Sequence, residues 1–149
     1  MAQKGLGVKR DYTAAVGWYR AAAKQGDILA SCDLGLMYEN GWGVATDYAE
    51  AFALYKKAAD KGVARGQYYL GSLYLYGRYV EQDYASAMKC YILAAQQGLP
   101  EAKFNIGTMH ENGWGVPANR NEAIDWYREA AKLGLNEAKQ ALRNLGAAQ

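Results

Sequence analysis

The sequence predicts an all-α solenoid built from repeated helix pairs, and the spacing of its glycines is the main reason. Glycine recurs at an interval of 36 residues in three separate columns. A fixed interval of this length is the signature of a repeat array. Between the glycines, apolar residues recur at helical spacing, and 51% of the chain is hydrophobic, enough for a core between stacked helices. The columns are Gly26, Gly62, Gly98 and Gly134; Gly35, Gly71 and Gly107; and Gly5, Gly41, Gly77 and Gly113.

The 36-residue interval divides a single repeat domain, 1–149, into units. Three complete units cover 28–63, 64–99 and 100–135, with a half repeat at 1–27 and a C-terminal capping helix in 136–149. In each unit two helical patterns, called helix A and helix B, alternate with two short turns. The chain therefore has eight predicted helices, from a B helix over about residues 11–25 to a final A helix.

Helix A of the first full unit is predicted from the core positions Ala30, Leu34, Met37 and Tyr38, which follow the i, i+4, i+7, i+8 spacing of one helix face. Gly35 and its column equivalents lie inside this helix. A glycine there costs about 1 kcal/mol relative to alanine. Its recurrence predicts that another backbone, that of helix B, crosses very close to helix A.

Helix B follows a turn that begins at Gly41, a residue able to adopt the left-handed conformation that ends helices. Asp47 is the predicted N-cap, and Glu50 completes a capping box. Small residues then alternate with aromatic ones, which favours close packing of ridges into grooves. The predicted caps of the other B helices are Asp11, Asp83 and Asn119.

The two ends of the array carry different predictions. The first B helix lacks a preceding A helix, so Trp18 should be partly uncovered. That face would be covered by a further unit of a longer array or by another chain, which includes self-association. The last helix has a polar outer face, which is typical of a solenoid cap.

Composition narrows the functional class. A net charge of +2 without a basic stripe argues against nucleic-acid binding. No apolar stretch is long enough to span a membrane, and the first 25 residues contain no signal-peptide core. The compartment stays open: cytoplasmic for the chain as given, periplasmic or secreted if a signal precedes it. Cys32 and Cys90 fall in different columns, which favours packed thiols over a disulfide framework.

One consensus runs through the units and is clearest in the first. It comprises Leu34-Gly35, Tyr38, Gly41-x-Gly43-Val44, Asp47, Ala51, Tyr55, Ala58-Ala59 and Gly62. This pattern resembles the Sel-one-like repeat (SLR) family, a relative of the tetratricopeptide repeat. The resemblance implies a right-handed α-solenoid of antiparallel helix pairs and an adaptor or scaffold role in protein complexes. Tyr79 stands in place of the second loop glycine, which leaves the shape of that loop open.

Catalysis and cofactors are not expected. Ser86 and Lys89 match S-x-x-K, the nucleophile motif of penicillin-recognising enzymes, but no S-D-N or K-T-G accompanies them. A β-lactam-binding or hydrolysing protein that uses Ser86 is the alternative function. His110 is the single histidine and holds a tyrosine column, so a packed core residue is favoured over a metal ligand.

The positions of helix A opposite the consensus vary from unit to unit, and we call this surface the groove face. Its tyrosines and amides suit the binding of a peptide, although any solvated helix face has a similar composition. The loop residues Trp42 and Trp114 are predicted rim anchors, unless each ring folds back over its own helix pair. The sequence thus predicts a non-enzymatic protein- or peptide-binding scaffold. The candidate contacts on the groove face are Asp33, Leu36, Asn40, Tyr69, Ser72, Tyr76, Asn105, Thr108 and Asn112.

Overall fold

The computed structural model describes residues 2–147, and it describes side chains from residue 11 onward. This part of the chain forms eight α-helices and no strand. Each helix packs against its neighbours in the sequence, as in a stack of helix pairs. The helices are α1 (Ala2–Lys24), α2 (Ile28–Asn40), α3 (Tyr48–Asp60), α4 (Ala64–Tyr76), α5 (Tyr84–Gln96), α6 (Pro100–Asn112), α7 (Arg120–Lys132) and α8 (Asn136–Asn144).

The turns between helices A and B have the predicted chemistry. Gly41 adopts a left-handed conformation with φ of 68° at the end of α2, and Gly77 and Gly113 do the same after α4 and α6. The side chains of Asp47, Asp83 and Asn119 accept hydrogen bonds from backbone N–H groups three residues later. The predicted caps of these three B helices are therefore confirmed.

The glycine inside each A helix has a different partner from the one predicted. A Cβ atom at Gly35 would lie 2.5 Å from a ring carbon of Tyr55, and one at Gly107 would lie 2.7 Å from a ring carbon of Tyr127. The closest neighbour is thus a tyrosine ring of helix B and not the backbone that was predicted, although the Ala123 carbonyl oxygen of α7 also lies 3.3 Å from the Cβ at Gly107. The glycine forms a socket, and the ring that fills it is almost completely buried.

The start of α1 also differs from the prediction. Helix α1 runs from Ala2, so Asp11 lies inside the helix and Gly5 stands where Gly41 turns the chain. In the later units this loop is held by the preceding unit: a Cβ at Gly43 would lie 2.5 Å from backbone atoms of Tyr12. No earlier unit is present within residues 2–147 to hold such a loop, and the helix continues instead.

The last helix, α8, ends early. Gly146 has φ of 69°, and the N–H of Ala147 bonds to the carbonyl of Leu142. The helix therefore stops at Asn144, four positions before the column equivalent of Asn40. Arg143 stands in the glycine column of this helix and is exposed, so α8 has no socket for a tyrosine ring.

Candidate interaction surface

Three buried tyrosines of the B helices supply the floor of the groove face. Their rings fill the glycine sockets, and their hydroxyl groups reach side chains of the A helices. The Tyr55 hydroxyl donates to Glu39 at 2.8 Å. The Tyr127 hydroxyl donates to Glu111 at 2.6 Å and lies 3.2 Å from the Thr108 Oγ1. The predicted contact Thr108 is therefore already engaged within the fold.

In the middle unit, the hydroxyl of the buried tyrosine, Tyr91, has different hydrogen-bonding partners. Leu75 stands in the column of Glu39 and Glu111, and the Tyr91 hydroxyl instead lies 2.9 Å from the Ser72 Oγ. The Asn105 side chain also approaches the Tyr91 hydroxyl. Burial is the main cause that raises the pKa of Tyr91, so the hydroxyl stays protonated at neutral pH. Ser72 and Asn105 present only their remaining hydrogen-bonding capacity to a ligand.

In the N-terminal part of the groove face, Arg65 forms an ion pair with Asp33 and a cation–π contact with Tyr69. Arg65 donates to Asp33 at 2.9 Å, and its guanidinium lies 5.8 Å from the ring centroid of Tyr69. A hydrogen bond to Tyr69, followed by the one to Asp33, raises the pKa of Arg65, although burial opposes this effect. Tyr69 in turn packs its ring 5.1 Å from that of Tyr55. Asp33 and Tyr69 are half-buried.

The remaining predicted contacts are divided between core and solvent. Leu36 is half-buried against an apolar cluster and belongs mainly to the core. Asn40 is exposed and donates to the Leu36 carbonyl at 2.9 Å. Tyr76 is 60% exposed, and Asn112 is also exposed. Tyr76, Asn112 and Asn40 are thus the exposed residues among the predicted contacts of the groove face.

A cavity of about 450 Å³ opens between α4 and α6, lined by Arg65, Tyr68, Tyr69, Leu99 and Glu101. Its wall combines aromatic rings with one basic and one acidic side chain. Burial raises the pKa of Tyr68 to about 12, and the negative charge of Glu101 adds to this effect. Its phenol is therefore a hydrogen-bonding group at neutral pH and carries no charge.

The two loop tryptophans fold back onto the preceding B helix of the array. The Trp42 ring stacks on Tyr12 at 5.4 Å between centroids, and the Trp114 ring stacks on Tyr84 at 6.0 Å. Trp42 remains 40% exposed, whereas Trp114 is half-buried against the core. Both rings join successive units, and Trp42 keeps one accessible edge.

In the loop between α4 and α5, the position of Trp42 and Trp114 is occupied by the cationic residue Arg78. Arg78 lies 5.9 Å from the ring centroid of Tyr48, the column equivalent of Tyr12 and Tyr84. It also pairs with Glu39 at 2.6 Å. Next to it, Tyr79 has φ of 67°, close to the 74° of Gly43, so this loop keeps the conformation of the others. A left-handed conformation is unfavourable for a tyrosine.

This surface also includes Glu39, Arg78 and Glu111, which were not predicted from the sequence. A signal was present, because Glu39 and Arg78 are separated by the same 39 residues as Leu75 and Trp114. One pair is oppositely charged and the other is apolar. Such a paired change between units indicates contact.

Ser86 takes part in capping. Its hydroxyl donates to Asp83 at 2.7 Å and its N–H to the same carboxylate at 3.0 Å. These bonds, the hydroxyl first, hold the pKa of Asp83 below its ordinary value. A hydroxyl that donates to an acceptor carboxylate at a helix start has a structural role, and no contact with Lys89 activates it. Nothing in this geometry supports the β-lactam alternative.

Cys32 is buried, Cys90 is half-buried, and both are free thiols, as predicted. Burial raises the pKa of each thiol to about 11. Within residues 2–147, no group of three or more His, Cys, Asp or Glu side chains is arranged to hold a metal ion. In the same residues, no helix combines the length and hydrophobicity that a membrane crossing requires.

The chain belongs to the Sel1 repeat family, whose repeat matches residues 1–27, 28–63, 64–99 and 100–135. Sel1 repeat proteins are generally scaffolds for protein interactions, and the fold is typically non-enzymatic. The observed all-helical repeat fold confirms the predicted fold class.

Solved structures support the same assignment. A Sel1 repeat protein from Oxalobacter formigenes is 34% identical, with a TM-score of 0.82 over 95% of this chain and 58% of that protein. A protective antigen of uropathogenic Escherichia coli with an SLR fold is also 34% identical, with a TM-score of 0.78 over 85% of this chain and 27% of that protein. This chain thus spans less than two thirds of either relative.

A third structure, cysteine rich protein B of Helicobacter pylori, is 24% identical and shares the fold, with a TM-score of 0.68 over 91% of this chain and 97% of that protein. A comparison with curated proteins gave no match.

Proposed function

We propose that this chain is a non-enzymatic scaffold that binds an extended segment of a protein partner along the groove face. The observation that carries the proposal is the cavity of about 450 Å³ between α4 and α6, together with the exposed ring of Tyr76 at the end of α4. Tyrosine and arginine are enriched among residues that dominate binding energy. Arg65 and Glu101 on opposite sides of the cavity provide polar contacts for the backbone or side chains of a peptide.

The preformed floor supports this proposal physically. Because Tyr55, Tyr91 and Tyr127 hold the A-helix side chains by hydrogen bonds, little ordering is needed when a ligand binds. A surface that is already ordered loses less conformational entropy on association. We assign the ligand contacts to the accessible edges of Tyr69, Tyr76 and Asn112. Supporting contacts come from Asp33, Leu36, Asn40, Ser72, Asn105 and Thr108, with Trp42 and Trp114 at the loops.

The test is affinity capture from cells that express the protein, read by mass spectrometry. The groove variant carries Tyr69→Ala and Tyr76→Ala. The control variant carries Ile92→Ala and Leu93→Ala, two exposed apolar residues of α5 that lie off the groove face. Thermal unfolding establishes that both variants are folded, and the single variant Tyr76→Ala removes a ring that is largely outside the core.

We expect a protein captured by the unmodified chain and by the control variant to be lost with the groove variant and reduced with Tyr76→Ala. Equal capture by all variants would place the interaction elsewhere, and loss with the control variant alone would move it to the B helices.

A further inference from the structure

Another pocket, of about 340 Å³, lies between α1 and α3 and has residues of α2 as its floor. The floor residues are Ser31, Leu34 and Tyr38. Because an α-helix turns by about 100° per residue, these positions lie on the face of α2 opposite to the groove positions Asp33 and Asn40. The pocket is therefore separate from the groove face, and side chains of three described helices form its walls.

Cations dominate the walls of this pocket. They are Arg20 and Lys24 of α1 and Lys57 of α3, whereas Glu50 of α3 is the one carboxylate that lines it. Three cations and one carboxylate give the pocket a net of two positive charges. All three cations are exposed, and none of them forms an ion pair with another side chain in the described part of the chain. Their charges are therefore available to a ligand.

The next unit neutralises the columns of Arg20 and Lys24. Lys56 is the column equivalent of Arg20, and Asp60 stands where α1 has Lys24. The Lys56 ammonium and the Asp60 carboxylate form an ion pair at 2.9 Å. An acid thus replaces a lysine in this unit, and the remaining cation has its partner within the protein.

The column of Lys57 changes in the same direction. It contains Leu93 in α5 and Glu129 in α7, and the Glu129 carboxylate lies 3.6 Å from the Lys103 ammonium. A cation in the last turn of a helix is favourable by itself, but α5 and α7 form without a lysine at this column. Helix stability therefore does not account for three unpaired cations in one pocket.

The rest of the pocket suits an anion that is carried on a side chain. Arg20 donates to the Tyr38 hydroxyl at 2.9 Å. This hydroxyl therefore keeps its own proton for donation to a second acceptor. Ala23, Leu34 and Leu54 add apolar surface to the pocket, which can cover the carbon atoms next to the anionic group.

We propose that this pocket binds a phosphorylated side chain of a protein partner. A phosphate monoester carries about 1.5 to 2 negative charges at pH 7, which matches the net charge of the pocket better than a single carboxylate does. Arg20 can offer paired N–H donors to two phosphate oxygens, and Lys24 and Lys57 add point charges. The protein source of the phosphate rests on the proposed scaffold function, whereas the phosphate chemistry rests on the pocket alone.

The test is an NMR titration of the full chain with N-acetyl-O-phosphoserine amide. N-acetyl-serine amide is the control without a phosphate, and N-acetyl-aspartate amide is the control with one negative charge. We expect saturable shifts of the Ser31, Leu34 and Tyr38 resonances with the phosphoserine probe, weaker binding of the aspartate probe and no binding of the serine probe. Inorganic phosphate should bind more weakly than the phosphoserine probe, because it has no carbon atoms to place on the apolar surface.

Matched variants assign the binding to the cations of the pocket. Lys57→Gln combined with Lys24→Gln should raise the apparent dissociation constant of the phosphoserine probe about ten-fold. Lys56→Gln is the control, because it removes the neighbouring lysine of the same helix, and this variant should bind as the unmodified protein does. Glu50→Gln should lower the dissociation constant several-fold, because it removes the carboxylate that repels the phosphate. Thermal unfolding establishes that the variants are folded.

Three outcomes would overturn the proposal. The first is equal affinity for the phosphoserine and aspartate probes, or equal weakening by the Lys56 and Lys57 substitutions. The second is an affinity for inorganic phosphate as high as that for the phosphoserine probe, which would make the ligand a free ion. The third is binding to phosphatidylcholine vesicles that contain phosphatidic acid without saturable binding of the probe, which would make the ligand a membrane surface.

Affinity capture separates this site from the groove face. A partner that is captured by the variant with the Tyr69 and Tyr76 substitutions, but lost with the Lys24 and Lys57 substitutions and after phosphatase treatment, would support this site and contradict the groove function. A partner with the opposite behaviour in all three experiments would leave the groove function standing and contradict this site.

Discussion

Helices α1 and α7 carry the same pattern of small and aromatic residues, but only α7 buries it. Tyr127 of α7 is 1% exposed, whereas its column equivalent Tyr19 is half-buried. Trp126 is half-buried, and its equivalent Trp18 is 75% exposed. The difference lies in the neighbours. Helix α7 has α6 on its preceding side, with Gly107 as a socket, and α1 has no such helix in the described part of the chain.

This comparison shows that, in a repeat array, the burial of a helix face depends on the neighbouring helix and not only on the residues of that face. A repeated sequence pattern predicts which face of each helix is apolar, but the face contributes to stability only where its neighbour is present. Substitutions in α1 should therefore have effects different from those of similar substitutions in the later units.

The largest difference is expected at the tyrosine column. Tyr127→Ala should destabilise the protein by roughly 3 to 5 kcal/mol, because it empties a socket in the core and removes the hydroxyl that bonds to Glu111. Tyr19→Ala should cost less than half as much. Urea unfolding followed by far-UV circular dichroism measures both. Equal losses would mean that the face of α1 is covered in solution.

A smaller difference is expected at glycine. Gly107→Leu should destabilise by about 1 to 3 kcal/mol, because its side chain must displace the ring of Tyr127. A Cβ at Gly17 of α1 meets no atom within 4 Å, so Gly17→Leu should leave stability unchanged or raise it by up to about 1 kcal/mol through helix propensity. Thermal unfolding compares the two variants. Similar melting temperatures would contradict the socket.

The smallest difference is expected at the helix caps and depends on pH. The Ser86 hydroxyl and N–H lower the folded-state pKa of Asp83, so this carboxylate stabilises the protein above its unfolded pKa. That contribution disappears as the pH falls through the lowered folded pKa. Asp83→Asn should therefore be less stable than the unmodified protein near neutral pH and equal to it in strong acid.

Asp11→Asn is the matched control for this experiment, because Asp11 lies inside α1 and does not begin a helix. Its unfolding midpoint near neutral pH should equal that of the unmodified protein. A loss at neutral pH like that of Asp83→Asn would mean that α1 begins at Asp11 in solution.

Most of the fold could be predicted from the sequence because its signals are local. Gly41 and Asp47 define a helix end and a helix start by their own conformational preferences, and the three confirmed caps follow from them. The start of α1 could not be predicted in this way. The loop at Gly43 packs against Tyr12 of the preceding unit. The residues of a loop do not themselves indicate whether such a preceding unit is present.

The groove face was predicted less completely for a related reason. The column pattern identifies Ser72 and Thr108 as variable positions of helix A, but it does not show that tyrosine hydroxyls from 19 residues further along the chain engage them. The partners of the loop tryptophans could not be predicted for the same reason. Their rings stack on tyrosines of the preceding B helix, which belong to another unit.

The stacking of each loop on an earlier helix has a consequence for synthesis on the ribosome. Trp42, Arg78 and Trp114 all rest on a tyrosine that precedes them in the chain. Nascent chains emerge with the N-terminus first. Each platform is therefore made before the loop that uses it, so a new unit can dock onto the growing protein without waiting for the units that follow.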